Sequence, residues 1–393
     1  MNFIKTAHTW LLLLALTVPA CGDHWTPPEL FRVLQATWCS YRQIFISPEG
    51  RVLLPERDGG TISEAQAYAL LRAVWAGDEA TFARVYAWTQ QNLSRPDHLL
   101  AWQWGRRVDG SWGVLDANTA SDGDLDYALA LILAARRGWR APMGLPDYLG
   151  EAREVAAGIL AKEVAALPGG TLVLTAGDWH ETGPPYLLNP SYFSPAAYRL
   201  FAQIGAGPVG AVREPPAWDR LQQDTYQLLA HLSQGLGATP GVGLFPDWCR
   251  VDAAGRFSPA PGRETHYGWE AVRLPWRLAL YSLWFDEPRT TQLLKQKFLP
   301  FFKQEWQTKG KLAAVYRFDG VPVVDYESPV LYAGVLAAAK AGGDREFAAQ
   351  MAQKIQSFYH EKDGLAYFVS PDNYYANNWA WLGLAMYAGW VKP

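Results

Sequence analysis

The apolar residues of this chain recur mainly at helical spacing, and this periodicity constrains the fold more than any other feature. From about Pro27 onward it predicts twelve α-helices. They run over Pro28–Arg42, Ser63–Ala76, Asp78–Leu93, Asp122–Arg137, Pro146–Ala166, Pro190–Ile204, Glu214–Gly235, Tyr267–Phe285, Glu287–Gln307, Ser328–Lys340, Gly343–His360 and Tyr374–Trp390. Two strand-like pieces, Thr171–Thr175 and Gly320–Val324, fall between helices. Because no linker rich in Gly, Ser or Pro divides the chain, we expect residues 22–393 to form one domain.

Every second predicted helix begins at a chemically distinctive segment. In chain order these segments are Ser63-Glu64, Asp122-Gly123-Asp124, Asn189-Pro190-Ser191-Tyr192, Trp269-Glu270, Tyr326-Glu327-Ser328 and the stretch from Tyr374 to Trp379. The helices between them begin at ordinary caps. Six inner helices that point the same way, wrapped by six outer ones, would bring these starts to one rim. We therefore predict an all-α fold, an (α/α)6 barrel, with an irregular helical bundle as the alternative.

Acidic residues at these helix starts suggest chemistry as well as capping. Acids are common there because the helix dipole favours negative charge. Here Trp, Tyr, Asn and Arg surround them, and Asp122 and Asp124 precede a nearly all-apolar stretch typical of a helix buried on all sides. A pair of carboxyl groups is what hydrolysis of a glycosidic bond requires, one to protonate the leaving oxygen and one to activate water. The pattern predicts a glycan hydrolase.

Composition narrows the class of ligand. The net charge of −3 argues against a nucleic-acid partner. The seven His and three Cys show no metal-site spacing, so we predict no metal and no cofactor. Aromatic residues make up 14% of the chain, and core packing explains most of them. The exceptions are indoles in polar, Gly-rich surroundings, which suit stacking on sugar rings: Trp102, Trp104, Trp112, Trp179 and Trp248.

The first residues have the pattern of an export signal. Lys5 supplies positive charge, Trp10 to Val18 is apolar, and small residues lead to Cys21. Three outcomes stay open for residues 1–21: lipoprotein processing with lipidated Cys21 attached to a membrane, ordinary cleavage, or a retained anchor. The location predicted is periplasmic, membrane-anchored or secreted. Cys39 and Cys249 then either pair or remain free thiols.

Several motifs, in one order along the chain, resemble those of glycoside hydrolase family 8. They are Ser63-Glu64-Ala65-Gln66-Ala67-Tyr68, Trp88-Thr89-Gln90-Gln91-Asn92-Leu93, Ala101-Trp102-Gln103-Trp104-Gly105, Ala120-Ser121-Asp122-Gly123-Asp124, Asn189-Pro190-Ser191-Tyr192 and Pro246-Asp247-Trp248. The resemblance extends over most of the chain and is strongest to the endoglucanases that accompany bacterial cellulose synthesis. It implies an (α/α)6 barrel and inverting hydrolysis of β-1,4-linked glucan.

The resemblance also implies roles for individual residues. Glu64 matches the general acid, and Asp122 matches the aspartate that holds the sugar at the cleavage point. Asp124 would support it as a further contact with substrate, and the roles of Asp122 and Asp124 could be exchanged. Trp269-Glu270-Ala271-Val272-Arg273 occupies the place of the family's Tyr-Asp-Ala-Ile-Arg, whose Asp is the general base. Glu270 therefore replaces Asp with a side chain one methylene longer.

This replacement leaves three alternatives. Glu270 is the base with adjusted geometry, which we favour. Otherwise the base lies elsewhere, at Glu327, Asp325 or Glu264, or the protein is a weak enzyme that chiefly binds glycan, as an export-accessory lipoprotein would.

We expect the remaining substrate contacts to come from Trp102, Trp104, Trp112, Tyr192, Trp248, Trp269 and Arg273. The expected partner is a β-glucan chain, and the resemblance adds the cellulose synthesis and export machinery. We expect a monomer. Chitosan, xylan and mixed-linkage glucan remain alternative substrates.

Overall fold

The computed structural model describes residues 25–205 and 217–393. The predicted export signal with Cys21 lies outside them, as does Glu214. The helices are α1 Pro27–Phe45, α2 Ser63–Ala76, α3 Glu79–Asn92, α4 Ser121–Arg136, α5 Tyr148–Lys162, α6 Pro195–Gln203, α7 Ala217–Leu232, α8 Arg273–Phe285, α9 Pro288–Leu293, α10 Leu299–Lys309, α11 Pro329–Ala341, α12 Arg345–Gln356 and α13 Tyr374–Tyr387. A π-helical turn, Leu294–Phe298, joins α9 and α10 into one outer element.

Six helices form an inner ring. Helices α2, α4, α6, α8, α11 and α13 pack each against the next, and the ring closes where Arg72 on α2 donates to Asn378 Oδ1 on α13 at 3.1 Å. Most residues of these helices are buried, because neighbours cover them on several sides. The other helices cover this ring from outside, so the predicted (α/α)6 barrel is confirmed.

Two inner helices meet with almost no space between their starts. A Cβ atom on Gly123, in the first turn of α4, would lie 2.4 Å from the Oγ of Ser63 at the start of α2. The backbone N–H of Ser63 also donates to the carbonyl of Trp102 at 3.0 Å. Glycine at this position therefore allows the Glu64 and Asp122 backbones to approach each other.

Two inner helices start later than predicted. Pro190–Tyr192 forms a 3-10 turn, and α6 begins only at Pro195. Proline disfavours helical backbone in the residue before it, and Ser194 is non-helical at φ −128° and ψ 74°. Before α8, the predicted first turn is instead a loop. The N–H groups of Gly268, Glu270 and Ala271 all donate to Asp247 Oδ1 rather than to helical carbonyls.

Short strands line the connections. They are β1 Thr61–Ile62, β2 Gln103–Arg106, β3 Trp112–Asp116, β4 Val164–Ala166, β5 Leu172–Leu174, β6 Tyr186–Leu188, β7 Gly235–Leu236, β8 Thr239–Pro240, β9 Cys249–Val251, β10 Phe257–Pro259, β11 Tyr359–Lys362 and β12 Leu365–Phe368. The predicted strand at 171–175 is confirmed as β5, whereas 320–324 makes only an isolated bridge through Pro322. The antiparallel sheet β1-β2-β3 was not predicted, and it lies directly before α2 and α4.

Within the described residues, no helix combines the length and apolar character needed to cross a bilayer. Cys39 and Cys249 are both free thiols, the first exposed and the second buried.

Candidate active site

Three carboxylates converge on the guanidinium of Arg273. Its Nη1 donates to Glu64 Oε2 in a short contact and to Asp122 Oδ2 at 2.9 Å, and its Nη2 donates to Glu270 Oε2 in another short contact. Its Nε donates to Ser191 Oγ at 3.1 Å. The Arg273 side chain is 2% exposed. One buried cation thus holds together acids from three separate segments of the chain.

Glu64 is held in a state suited to proton donation. Burial raises the pKa of its carboxyl group to about 7, with the nearby charge of Asp122 acting in the same direction and Arg273 opposing. The sequence placed this acid at a helix start, which alone would lower its pKa. Because burial outweighs both the helix dipole and the arginine, the group keeps its proton up to neutral pH.

Asp122 lies beside Glu64 at the floor of the site. Its Oδ1 accepts from the N–H of Gly123 at 2.9 Å, and its side chain is 2% exposed. One turn further along α4, Asp126 accepts two bonds from Arg277 at 2.5 and 2.7 Å. This buried pair connects α4 to α8 beneath the site.

Glu270 occupies the loop before α8 and is 35% exposed. Its Oε2 accepts from Asn189 Nδ2 at 2.9 Å as well as from Arg273. One carboxylate oxygen thus accepts two hydrogen bonds. The backbone of this loop is fixed by Asp247, a buried carboxylate whose Oδ1 accepts three N–H bonds of 2.7–3.1 Å. Burial raises the pKa of Asp247 to about 6.

The position of Asp124 does not support its predicted contact with substrate. Asp124 is fully buried and accepts from the N–H of Leu100 at 2.8 Å. Burial and the adjacent carboxyl group of Glu163 raise its pKa well above the usual range. Burial also raises the pKa of Glu163 to about 8. The two acids form a buried pair behind the site, and burial opposes the ionisation of both.

Two cavities of about 550 and 470 Å³ adjoin at the site, and Arg57 and Glu270 line both. We call them the first and second cavity, and together the groove. All six inner helices contribute a residue from their start or from the segment just before it: Glu64, Ala120, Tyr192, Arg273, Pro329 and Tyr374. The inner helices are therefore parallel, and their N-terminal ends form one rim, as the sequence predicted.

The groove brings together several of the predicted aromatic contacts. Trp102, Tyr192 and Trp248 line the second cavity, together with Trp179. Trp269 lines the first cavity and is 41% exposed.

Trp104 and Trp112 lie apart from these aromatic residues. Trp104 is 9% exposed and stacks on Trp112 with ring centroids 5.2 Å apart, while Arg51 covers both rings at 4.7 Å. Among the described residues that line the two cavities, neither appears. Substrate contact by these two indoles stays a prediction; in the structure their partners are each other and Arg51.

The alternative general bases are less well placed than Glu270. Glu327 lines the first cavity, but its Oε1 accepts from Lys354 at 2.8 Å and from the hydroxyl of Tyr332. Glu264 is 74% exposed and pairs with a histidine, and Asp325 is exposed. Neither Glu264 nor Asp325 is among the described residues lining the two cavities.

Some residues of the site were not predicted. Asn189 and Asp247 lie in segments that resemble family motifs, but the sequence did not indicate their contacts with Glu270. Asn189 binds its carboxylate, and Asp247 binds its backbone N–H. Tyr375 donates from its hydroxyl to the carbonyl of Trp269 at 2.5 Å. Glu163 had one usable signal, an acid embedded among the apolar residues at the end of a predicted helix.

Comparison with known proteins agrees with this geometry. A profile of glycosyl hydrolases family 8 matches residues 2–386. The endoglucanase of Escherichia coli K12 is 30% identical over 257 residues, covering 64% of this chain and 61% of that protein. That of Pseudomonas fluorescens SBW25 is 35% identical over 246 residues, covering 60% and 57%. The matched stretch thus spans about three fifths of these relatives.

Solved structures extend the likeness to the whole barrel. An endo-1,4-D-glucanase from Vibrio fischeri ES114 superposes with a TM-score of 0.72 at 25% identity, covering 89% of this chain and 94% of that one. A β-1,3-1,4-glucanase from Paenibacillus sp. X4 gives 0.75 at 20% identity, covering 93% and 94%, which shows the fold alone. With the parallel inner helices, the acids gathered on Arg273 and a profile match over nearly every residue, the chain belongs to glycosyl hydrolases family 8.

Proposed function

We propose that this protein is an exported endo-β-1,4-glucanase that hydrolyses its substrate with inversion. One observation carries the proposal: Glu64, Asp122 and Glu270 meet on Arg273 at the junction of the two cavities. A chain that extends through both cavities would place an internal glycosidic bond at this junction. The endoglucanases to which the chain is similar support the same substrate class.

Glu64 would act as the general acid. Its pKa of about 7 keeps the carboxyl group protonated at neutral pH, and its contact with the first cavity gives it access to a leaving oxygen. Asp122, bound to Arg273, would accept hydrogen bonds from the sugar at the cleavage point.

Glu270 would act as the general base. Arg273 and Asn189 hold its Oε2, and its Oε1 accepts no hydrogen bond from any residue that the structure describes. An inverting enzyme keeps its two carboxyl groups roughly 6.5–9.5 Å apart so that a water molecule fits. The longer glutamate side chain of Glu270 is bound by Arg273, three residues further along the chain.

We also propose the finer assignments that the sequence suggested. Residues 1–21 would direct export to the periplasm, to a lipid anchor at Cys21 or to the medium, and residues 22–393 would act as one catalytic unit. The product would be trimmed glucan in extracellular polysaccharide production, made by a monomer.

The test compares the purified mature protein with Glu64→Gln and Glu270→Gln on soluble cellulose derivative, cello-oligosaccharides, chitosan and xylan, with product anomers followed by NMR. We expect early α-anomer from β-1,4-glucan and a loss of at least about 10²-fold in kcat in each variant. Activity that survives in Glu270→Gln alone would move the base, with Glu327 next.

A second candidate function is glycan binding with little turnover. One observation favours it: the carboxylate of Glu270 is engaged by Arg273 rather than free. In that case the wild-type protein would bind cello-oligosaccharides yet release no reducing ends beyond the Glu64→Gln background.

A further inference from the structure

Two arginines cover indoles in the second cavity. The guanidinium carbon of Arg57 lies 5.5 Å from the ring centroid of Trp102, and that of Arg263 lies 4.8 Å from the ring centroid of Trp248. Both arginines are exposed and both line this cavity. Stacking on an aromatic face restrains the planar guanidinium while its N–H donors stay at the edge of the group. The donors are therefore available for a ligand in the cavity.

These two cations differ from Arg273 in having no acidic partner. No carboxylate of the described residues lies within 4 Å of Arg57 or Arg263, whereas Arg273 contacts three. The second cavity is also lined by the carboxylates of Asp116 and Glu270, so what distinguishes it is two guanidinium groups without an acidic partner rather than an excess of positive charge. A neutral glucan offers these donors only hydroxyl oxygens, whereas a carboxylate offers a charge-assisted and bidentate contact.

We propose that the second cavity accepts β-glucan carrying carboxylate groups, bound by Arg57 and Arg263 next to Trp102 and Trp248. Guanidinium and carboxylate match as paired donors and acceptors, and each such contact is charge-assisted. The inference rests on the proposed function and names its substrate more closely. Arg57 also lines the first cavity, so one acidic group would lie near the cleavage point and the other further from it.

The experiment compares two soluble cellulose ethers of matched substitution, anionic carboxymethyl cellulose and neutral hydroxyethyl cellulose. kcat/KM is measured on each at low and at high NaCl for the mature protein, Arg57→Gln, Arg263→Gln and the double variant. Arg256→Gln is the matched control, because Arg256 is highly exposed and already paired with Asp252. Binding of both polymers is measured in parallel by affinity electrophoresis in the Glu64→Gln background, with and without the arginine substitutions.

We expect the anionic polymer to be preferred at low salt. The preference should fall about two- to five-fold for each arginine removed, the range of exposed ion pairs, and should shrink in high salt. Arg256→Gln should leave the ratio unchanged. The inference would be overturned if the ratio of kcat/KM on the two polymers changed neither with salt nor with either substitution. It would also be overturned if the variants showed an equal rise in kcat/KM on both polymers, since the arginines would then only cover the indoles. If neither polymer is cleaved, the glucanase proposal fails, and the binding ratios still decide the inference.

Discussion

Arg273 determines how the acids of the site divide their roles. Its Nη1 serves Glu64 and Asp122, and its Nη2 serves Glu270. One cation faces three carboxylates here, two of them largely buried, and this favours retention of a proton on a buried one. Burial and the charge of Asp122 assign that proton to Glu64. The division of roles follows from the arrangement around a single guanidinium rather than from the helix starts.

Asp122→Asn tests this division. Removing a negative charge beside Glu64 should lower the pKa of Glu64, by about one unit for a contact this close. Because the acid works protonated, the alkaline limb of kcat/KM, which we expect near pH 7, should move to lower pH. kcat/KM at its optimum should also fall, on the order of 10²-fold, through loss of the sugar contact. A limb that stays in place or moves to higher pH would contradict the assignment.

Sequence patterns predicted the residues that converge on Arg273 better than those behind them. Glu64, Asp122 and Glu270 were identifiable because their segments begin inner helices or directly precede one. Asp124, two residues after Asp122, is instead fully buried beside Glu163, which the sequence did not predict. Which neighbour an acid meets depends on long-range packing, which the local spacing does not contain.

At the scale of elements, the contact between the starts of α2 and α4 should be sensitive to added volume. Gly123→Ala places a methyl group 2.4 Å from Ser63 Oγ, so the two helix starts must separate. We expect unfolding in urea to show a loss of about 1–3 kcal/mol and kcat to fall as Glu64 and Asp122 move apart.

Two variants control this result. Gly169→Ala adds the same methyl group where no atom lies within 4 Å, and it should change neither stability nor kcat appreciably. Adding Ser63→Ala to Gly123→Ala removes the nearest clashing atom and should restore part of the loss. Full stability in Gly123→Ala alone would show that the helices separate at no cost.

The Asp124–Glu163 pair connects the start of α4 to the end of α5 and should make stability depend on pH. The pKa of Glu163 is about 8 in the folded protein against 4.5 in the unfolded chain, so unfolding between these values releases a proton. The contribution of Glu163 to the free energy of unfolding is fully present below about pH 4.5. It declines as the pH rises to about 8, by roughly 1.4 kcal/mol per pH unit for one proton.

Glu163→Gln should remove most of this decline. The amide can donate to Asp124 and still accept from Thr119, so no proton is needed. Melting temperatures of the variant and of the wild type should agree near pH 5 and differ by several degrees in favour of the variant near pH 8. Glu154→Gln, which changes an exposed acid on the same helix, serves as the control. A constant difference across this range would show that the pair holds no extra proton.

The sequence predicted the number of helices, but not always the residue at which each helix begins. The apolar spacing located every outer and inner helix, since burial on one or all sides leaves its own pattern. The loop before α8 was predicted as helix because Asp247, some twenty residues earlier, takes its N–H groups. The sheet β1-β2-β3 was missed although β2 and β3 form a local hairpin whose turn contains Asp109-Gly110; only the pairing of β1 with β2 joins distant segments.

At the scale of the molecule, one end of the barrel forms the groove and the other end contacts the C-terminal residues. The N-terminal ends of the inner helices surround the groove, and their C-terminal ends meet the last residues of the chain. The indole of Trp75, near the end of α2, donates to the carbonyl of Lys392 at 3.2 Å. The indole of Trp284, near the end of α8, donates to the carbonyl of Val391 at 3.0 Å. The tail therefore spans two inner helices that stand three places apart in the ring.

Removing residues 391–393 should loosen this end of the barrel without touching the groove. Two hydrogen bonds and the burial of Val391 would be lost, so we expect about 1–3 kcal/mol less stability in urea. kcat at low temperature should be retained, because Glu64 and Arg273 lie at the opposite ends of α2 and α8. Deletion of the exposed Pro393 alone is the control and should be neutral. A truncated protein of full stability would show that the rings close without the tail, and one that stays folded but loses kcat would show that the two ends of the barrel are coupled.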